Sequence, residues 1–223
     1  MITKVIGVGG AGGEAVDLLA NESLRDVELV LANTDTFTWT EIKVLTKIKL
    51  GLENTSTNRD RVVGEKMCEE SRNEIEKVLT ETDSVILTGG LGGGTGSAAL
   101  PFFARMAKDK RIPVKLFVTK PFSFEYSEGR ITTTVKNAEV SLAKLEAIEV
   151  PIYIIDLKAF RENVQTNRLT YNLTLDKYSR GITLLMANLI RVAIEDTDRD
   201  VLTRLCSADS IIKMAVRIFK QLQ

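Results

Sequence analysis

Gly89-Gly90-Leu91-Gly92-Gly93-Gly94-Thr95-Gly96-Ser97 follows the apolar run Ser84-Val85-Ile86-Leu87-Thr88 and precedes the helix-forming stretch Ala98 to Lys108. Six glycines within eight residues, between a buried strand and a helix, let consecutive backbone N–H groups curl around an anion at a helix N-terminus. Thr95 and Ser97 add hydroxyl donors. The spacing predicts a phosphate-binding loop. A hinge or tight turn is the bland alternative, but it gives no reason for hydroxyl residues among the glycines. No Lys follows the last glycine, so this is not a loop of the G-x-x-x-x-G-K-[ST] kind.

A second glycine loop lies near the start of the chain, where Lys4-Val5-Ile6-Gly7-Val8 runs into Gly9-Gly10-Ala11-Gly12-Gly13 and then a helix over Glu14 to Ala20. Gly7, Gly9 and Gly12 satisfy G-x-G-x-x-G, and Val27 to Ala32 reads as a strand ending in Asn33-Thr34-Asp35. An acid after the second strand suits a dinucleotide ribose, so this half alone admits an NAD-dependent oxidoreductase. That reading leaves the loop at 89–96 unexplained, whereas a long triphosphate cradle can use both loops.

Further strands are predicted at Val114 to Val118 and Ile152 to Ile155, and one charged amphipathic helix over Arg61 to Leu79, with Glu69, Arg72, Asn73 and Glu76 as a solvated face. Strands alternating with helices predict an α/β fold, a doubly wound, mostly parallel sheet with ligands at the strand C-termini. Thr170 to Ile190 presents one broad apolar helical face. After the acidic run Glu195-Asp196-Thr197-Asp198-Arg199-Asp200, a last helical segment carries Ile211, Ala215, Ile218, Phe219 and Leu222 on one face.

The 223 residues carry 30 Lys+Arg against 30 Asp+Glu, a balance that points to no polyanionic partner such as nucleic acid. No apolar stretch approaches the roughly 20 residues of a membrane span. The opening residues start a strand directly, so a cytoplasmic location is expected. Cys68 and Cys206 are far apart and read as buried free thiols. Histidine is absent, which excludes His bases and His metal sites and leaves hydrolysis to carboxylates, backbone dipoles and a hard cation.

The blocks KVIGVGGAGGEAV, LANTD, GGLGGGTGS and VTKPFSFE closely resemble, in order and spacing, the tubulin and FtsZ superfamily of self-assembling GTPases. The likeness covers residues 3 to 200. It implies a nucleotide domain over 1–170, and a central helix, acid loop and C-terminal helix over 171–223 in the same unit. The family continues into a second domain that this sequence does not match, so a fragment of a longer chain is one reading.

The same resemblance implies a set of site residues. Gly9, Gly10, Ala11 and Gly12 would pass along the phosphates of GTP or GDP from one side, and Gly92, Gly93, Gly94, Thr95 and Gly96 would cradle them from the other. Asn33 and Asp35 would lie near the phosphates, with Asp35 the Mg²⁺ ligand, although a turn or helix cap also explains Asn33-Thr34-Asp35. Glu125 and Arg130 would flank the ribose, with a plain surface ion pair as the alternative. Asn172 would read the guanine edge, or cap the central helix, and Asp156 would lie near the base. Counted without gaps from Gly181, Glu195 and Asp198 fall on the acids of the family's N-x-D-x-x-D loop. Those acids reach the nucleotide of the next subunit and polarise the attacking water, so the site would be completed in a head-to-tail filament. An acidic linker kept for solubility is the bland alternative.

Three departures from the family stand out. Ala193 and Glu195 replace an Asn and an Asp of the acid loop, Ser56 to Arg61 lacks the glycines of the corresponding phosphate-side loop, and Glu14 replaces an amide near the base. Two functions therefore stay open: a filament-forming GTPase of cell-division or cytoskeletal type, partnered by itself, or a barely hydrolysing GTP-binding module that joins or caps filaments of a full-length relative.

Overall fold

In the computed structural model the described residues are 1–121, 126–127, 130–157, 175–196 and 198–222. Six strands form one parallel sheet: β1 (Thr3–Val8), β2 (Val27–Asn33), β3 (Thr46–Lys49), β4 (Ser84–Gly90), β5 (Val114–Lys120) and β8 (Ile152–Asp156), in the order β3-β2-β1-β4-β5-β8. A two-stranded antiparallel ribbon, β6 (Tyr126–Ser127) with β7 (Arg130–Ile131), stands apart from it.

The described helices are α1 (Gly9–Leu19), α2 (Arg61–Glu70), α3 (Arg72–Val78), α4 (Gly94–Asp109), α5 (Thr133–Glu146), α6 (Leu175–Glu195), α7 (Arg199–Leu205) and α8 (Ala208–Leu222). Both faces of the sheet are covered, which is why its strands are continuous apolar runs. Strand residues alternate between two cores. Val5, Leu31, Ile86 and Phe117 pack with α1, α6, α7 and α8, while Ile6, Val30, Leu87 and Leu116 pack with α2 to α5.

The strands fan outward from the β1/β4 pair, with β2 and β3 on one side and β5 and β8 on the other. Such a reversal of strand order opens a crevice at the strand C-termini, the usual ligand position in an open α/β sheet. The doubly wound expectation thus holds, and both glycine loops leave from the two central strands.

Several boundaries differ from the sequence reading. The predicted Arg61–Leu79 helix is two helices broken at Ser71, whose φ and ψ of −103° and 18° are not helical. The Ser71 hydroxyl accepts from the Gly51 N–H (2.8 Å) and donates to the Lys49 carbonyl (3.3 Å), and this tertiary bonding offsets the loss of helix. On the solvated face, Arg72 pairs with Glu69 at 2.8 Å and lies 5.0 Å from the Phe102 ring centroid, and Glu76 pairs with Lys110 at 2.6 Å. Strand β3 went unpredicted because only Ile48 of its four residues is buried. The last helical segment is two helices, α7 and α8. Cys68 is buried and Cys206 half-buried, both thiols are free, and burial pushes each up to about 12.

Candidate functional site

Helices α1 and α4 begin within the two glycine loops, at Gly9 and Gly94, rather than after them at Glu14 and Ala98 as expected. Glycine is a poor helix former, costing about 1 kcal/mol relative to Ala, so these first turns are present in spite of local propensity. Strands β1 and β4 are adjacent and parallel with Val8 opposite Gly89, which sets the two helix starts side by side at the C-terminal edge of the sheet.

Close packing explains the glycines that the fold itself requires. A Cβ on Gly12 would overlap the Thr88 carbonyl oxygen, and one on Gly96 would overlap that of Gly90. Gly9 has φ +68°, a left-handed conformation, and the Cβ position there lies 3.5 Å from the Gly96 nitrogen. Gly10 and Gly93 differ. Nothing lies within 4 Å of a Cβ on either, so the fold leaves open space in front of them.

Neither α1 nor α4 is capped: Val8 and Gly93 precede them, no described side chain bonds their first-turn N–H groups, and neither first turn holds an acid. Three other helices are closed by side chains. Asp60 caps α2 through the N–H groups of Val62 and Val63, Thr132 caps α5 through that of Val135, and Asp198 caps α7. Helix α3, one residue beyond α2, has no side-chain cap bond but carries Glu74 in its first turn. Two neighbouring N-termini without side-chain caps among the described residues, with aligned dipoles, are suited to an anion.

The end of β2 closes one flank. The Thr34 and Thr95 hydroxyls are 2.9 Å apart and buried, tying β2 to the first turn of α4. Asn33 Oδ1 accepts from the Thr34 N–H (2.9 Å) and Asp35 Oδ1 from the Phe37 N–H (2.9 Å), so both side chains shape turns while standing at the strand C-terminal edge. Contrary to the sequence reading, the Ser97 hydroxyl is not offered to a ligand. It donates back to the Gly93 and Gly94 carbonyls and is buried. Glu14 is exposed and accepts from the Thr183 hydroxyl of α6 at 3.2 Å.

The loop Ser56–Asp60 covers the other flank. Thr57 is buried, its Oγ1 filling the space a Cβ on Gly94 would need, and the Asp60 carbonyl lies 2.8 Å from that position. Asn58 and Arg59 take φ of +50° and +64°, left-handed conformations where glycine is favoured. Asn137 of α5, 6% exposed, donates to the Arg59 carbonyl at 2.8 Å and the Gly92 carbonyl at 3.2 Å. Thr34, Thr57 and Asn137 were all missed by sequence reasoning, and their only signal is burial of a polar side chain.

The structure brings Gly9, Gly10, Ala11, Gly12, Asn33, Asp35, Gly92, Gly93, Gly94, Thr95 and Gly96 to one edge, with Asp156 at the end of β8 on the same edge. Glu125 and Asn172 lie outside the described residues, as does the side chain of Arg130. No cluster of three carboxylate, Cys or His groups suited to a metal occurs among the described residues. A cation there would rest on Asp35 and on phosphate oxygens, the usual arrangement for Mg²⁺.

Glu195 and Asp198 stand elsewhere. Glu195 is the exposed last residue of α6, and Asp198 Oδ1 accepts from the N–H groups of Asp200 (2.7 Å) and Val201 (3.2 Å). Just before them, Ala193 and Ile194 line a cavity of about 840 Å³ together with Thr3, Val27, Ser84 and Val114, the first residues of β1, β2, β4 and β5. Burial depresses the Lys115 ammonium below its ordinary range and the Asp196 carboxylate opposes the shift, which sets Asp196 near the start of β5. The acid loop is therefore at the strand N-terminal edge, opposite the glycine loops. No described helix is long and apolar enough to cross a membrane.

The family model described as Tubulin/FtsZ family, GTPase domain, matches residues 2–163. A cell division protein FtsZ from Coxiella burnetii is 38% identical over 175 residues, covering 77% of this chain and 43% of the relative. FtsZ from Buchnera aphidicola is 34% identical over 143 residues, 63% of this chain and 37% of its own length. Among solved structures, an empty FtsZ dimer from M. jannaschii superposes with TM-score 0.75 at 27% identity, over 87% of this chain and 54% of that one. The chain thus spans less than half the length of these curated relatives. With two glycine loops side by side at the centre of a parallel sheet and a family match over most of its length, the chain belongs to the Tubulin/FtsZ family through its GTPase domain.

Proposed function

We propose that this chain binds GTP or GDP with Mg²⁺ at the C-terminal edge of its sheet and hydrolyses GTP when a second copy docks head to tail. The observation that carries the reading is the pair of uncapped helix N-termini at the β1/β4 junction, in a protein that caps α2, α5 and α7 with side chains. The N–H groups of Gly9 to Gly12 and Gly92 to Gly96 hold the phosphates, and the open space before Gly10 and Gly93 admits them. Asp35 would hold the cation, its carboxylate standing at the end of β2 beside the phosphates. Mg²⁺, when bound, neutralises charge that develops on the phosphate oxygens. Glu125 and Arg130 flank the ribose, and Asp156 and Asn172 contact the base.

Glu195 and Asp198 of the next copy orient and polarise the attacking water. Their place at the opposite edge suits this division, because one molecule cannot bring both edges to the same phosphate. The M. jannaschii FtsZ dimer among the similar structures also supports self-association. A contact of this kind is heterologous and extends into a filament.

A second reading is favoured by the capping of α7. Asp198 already spends Oδ1 on two N–H groups, which restrains its carboxylate, and Glu195 is one methylene longer than an Asp. A GTP-binding module with little turnover that joins filaments of a longer relative fits these facts. Comparing GTP turnover and GTP affinity in wild type, Glu195→Ala and Asp198→Ala separates the two. Turnover lost with affinity retained supports trans catalysis, and a wild-type rate no higher than that of the variants supports the module.

A further inference from the structure

The loop Ser56–Asp60 has no glycine, yet Asn58 and Arg59 are both left-handed. Such a turn holds its shape only when its surroundings over-determine it. Three contacts do so. The Asp60 N–H bonds the Thr57 carbonyl at 2.8 Å, the Asn58 N–H bonds the Ser56 hydroxyl at 3.1 Å, and the Arg59 carbonyl accepts from Asn137 at 2.8 Å. Asp60 also ties the loop's end to α2, whereas the last bond ties the left-handed turn itself to α5, and the same amide donates to Gly92 at 3.2 Å. Helix α5 is itself anchored next to both partners. Thr134 packs where a Cβ on Gly92 would stand, and Lys144 pairs with Glu65 of α2, the helix that Asp60 caps.

We propose that Asn137 is a positioning residue that clamps the Ser56–Asp60 loop to the Gly92–Gly94 cradle, so that this flank of the site is ordered before nucleotide arrives. The inference rests on the reading of this edge as a GTP site, but its structural half can be measured without nucleotide. An amide suits the task because it offers two N–H donors in one plane, and here each reaches a different carbonyl. Without it, both carbonyls lose a buried partner and the Arg59 end of the left-handed turn loses its tie to α5, although Asp60 still caps α2. Nucleotide would then bind only the ordered fraction, and apparent affinity would fall in proportion to that fraction.

The test is amide hydrogen exchange on the loop, with and without GTP and Mg²⁺, in wild type, Asn137→Ala and Asn137→Leu. The Leu variant keeps the volume and removes the donors. In wild type without nucleotide the Asp60 amide should be protected to the level of α2. In either variant that protection should drop selectively, GTP should restore it, and GTP affinity should fall about ten-fold, the size expected for one buried hydrogen-bond partner. An unprotected loop in the wild-type apo protein overturns the clamp and needs no variant to fold. So does a variant with wild-type loop protection, or one whose affinity loss comes with uniform loss of protection across the protein. Protection lost selectively in a wild type and variant pair that both fail to bind GTP would keep the clamp and sink the GTP reading.

Discussion

At the C-terminal edge of the sheet, α1 and α4 start on glycines with no side-chain cap among the described residues and no acid in the first turn. Beyond the N-terminal edge, α7 starts on Asp198 with its first N–H groups bonded. A cap is worth about 1 kcal/mol and Asp, Ser or Thr would supply it at any helix start. Leaving two adjacent starts uncapped, and filling them with poor helix formers, is destabilising to the free protein. On the proposed reading, a ligand completes the structure at the first edge, whereas at the second the chain completes itself. Local rules are most often broken at functional sites.

The largest effect expected from this contrast is at the glycines buried between elements. Gly12→Ala or Gly96→Val drives a Cβ into a backbone carbonyl, which cannot swing aside. We expect a loss of about 3 kcal/mol, hence a fall in melting temperature of roughly 10 °C, with nucleotide binding lost as well. Gly10→Val and Gly93→Val sharpen the comparison, since the space before them is empty. Stability should stay within about 0.5 kcal/mol of wild type while GTP affinity in calorimetric titration falls at least ten-fold. Unchanged affinity in both would mean that the bare N–H groups serve no anion.

Asp198→Ala should remove the α7 cap and lower stability by about 1 kcal/mol, seen as a melting shift of roughly 2–4 °C, with GTP affinity unchanged because the cap lies at the opposite edge. Reduced GTP affinity would break the separation of the two edges. The smallest effect is at Glu65, which braces α2 to α5 beside the glycine loops. Burial raises the Glu65 carboxyl, but Lys144 and Arg61 outweigh it and hold the group below its ordinary 4.5. A depressed folded-state value means that the stabilisation is present above about 4.5 and is lost as pH falls through the lower folded value. Glu65→Gln should therefore melt slightly below wild type at pH 7, by under about 1 kcal/mol, and the gap should close in acid.

Much of this was legible in the sequence because it is local. A strand, a glycine loop and a helix occur in succession twice, and from that pattern come the parallel sheet, the site edge and the glycines of both loops. The Arg61–Leu79 helix was misread because Ser71 breaks it for partners twenty or more residues away, at Gly51 and Lys49. The helix starts at Gly9 and Gly94 were hidden by the propensity of glycine itself. Thr34 meets Thr95 across 61 residues, and Asn137 meets Arg59 and Gly92 across 78 and 45. Contacts that distant leave no periodicity or spacing to read. Asp198 was visible as an acid near the start of a helix, yet its capping role emerges only from the bonds it makes.

The central claim is that the two edges form one catalytic site only between copies. Phosphate release from GTP with Mg²⁺, measured across a range of protein concentrations with light scattering on the same samples, tests it most directly. Release per mole of protein should rise with concentration and in step with scattering. Release per mole that is independent of concentration, or near zero while scattering rises and GTP stays bound, would contradict it.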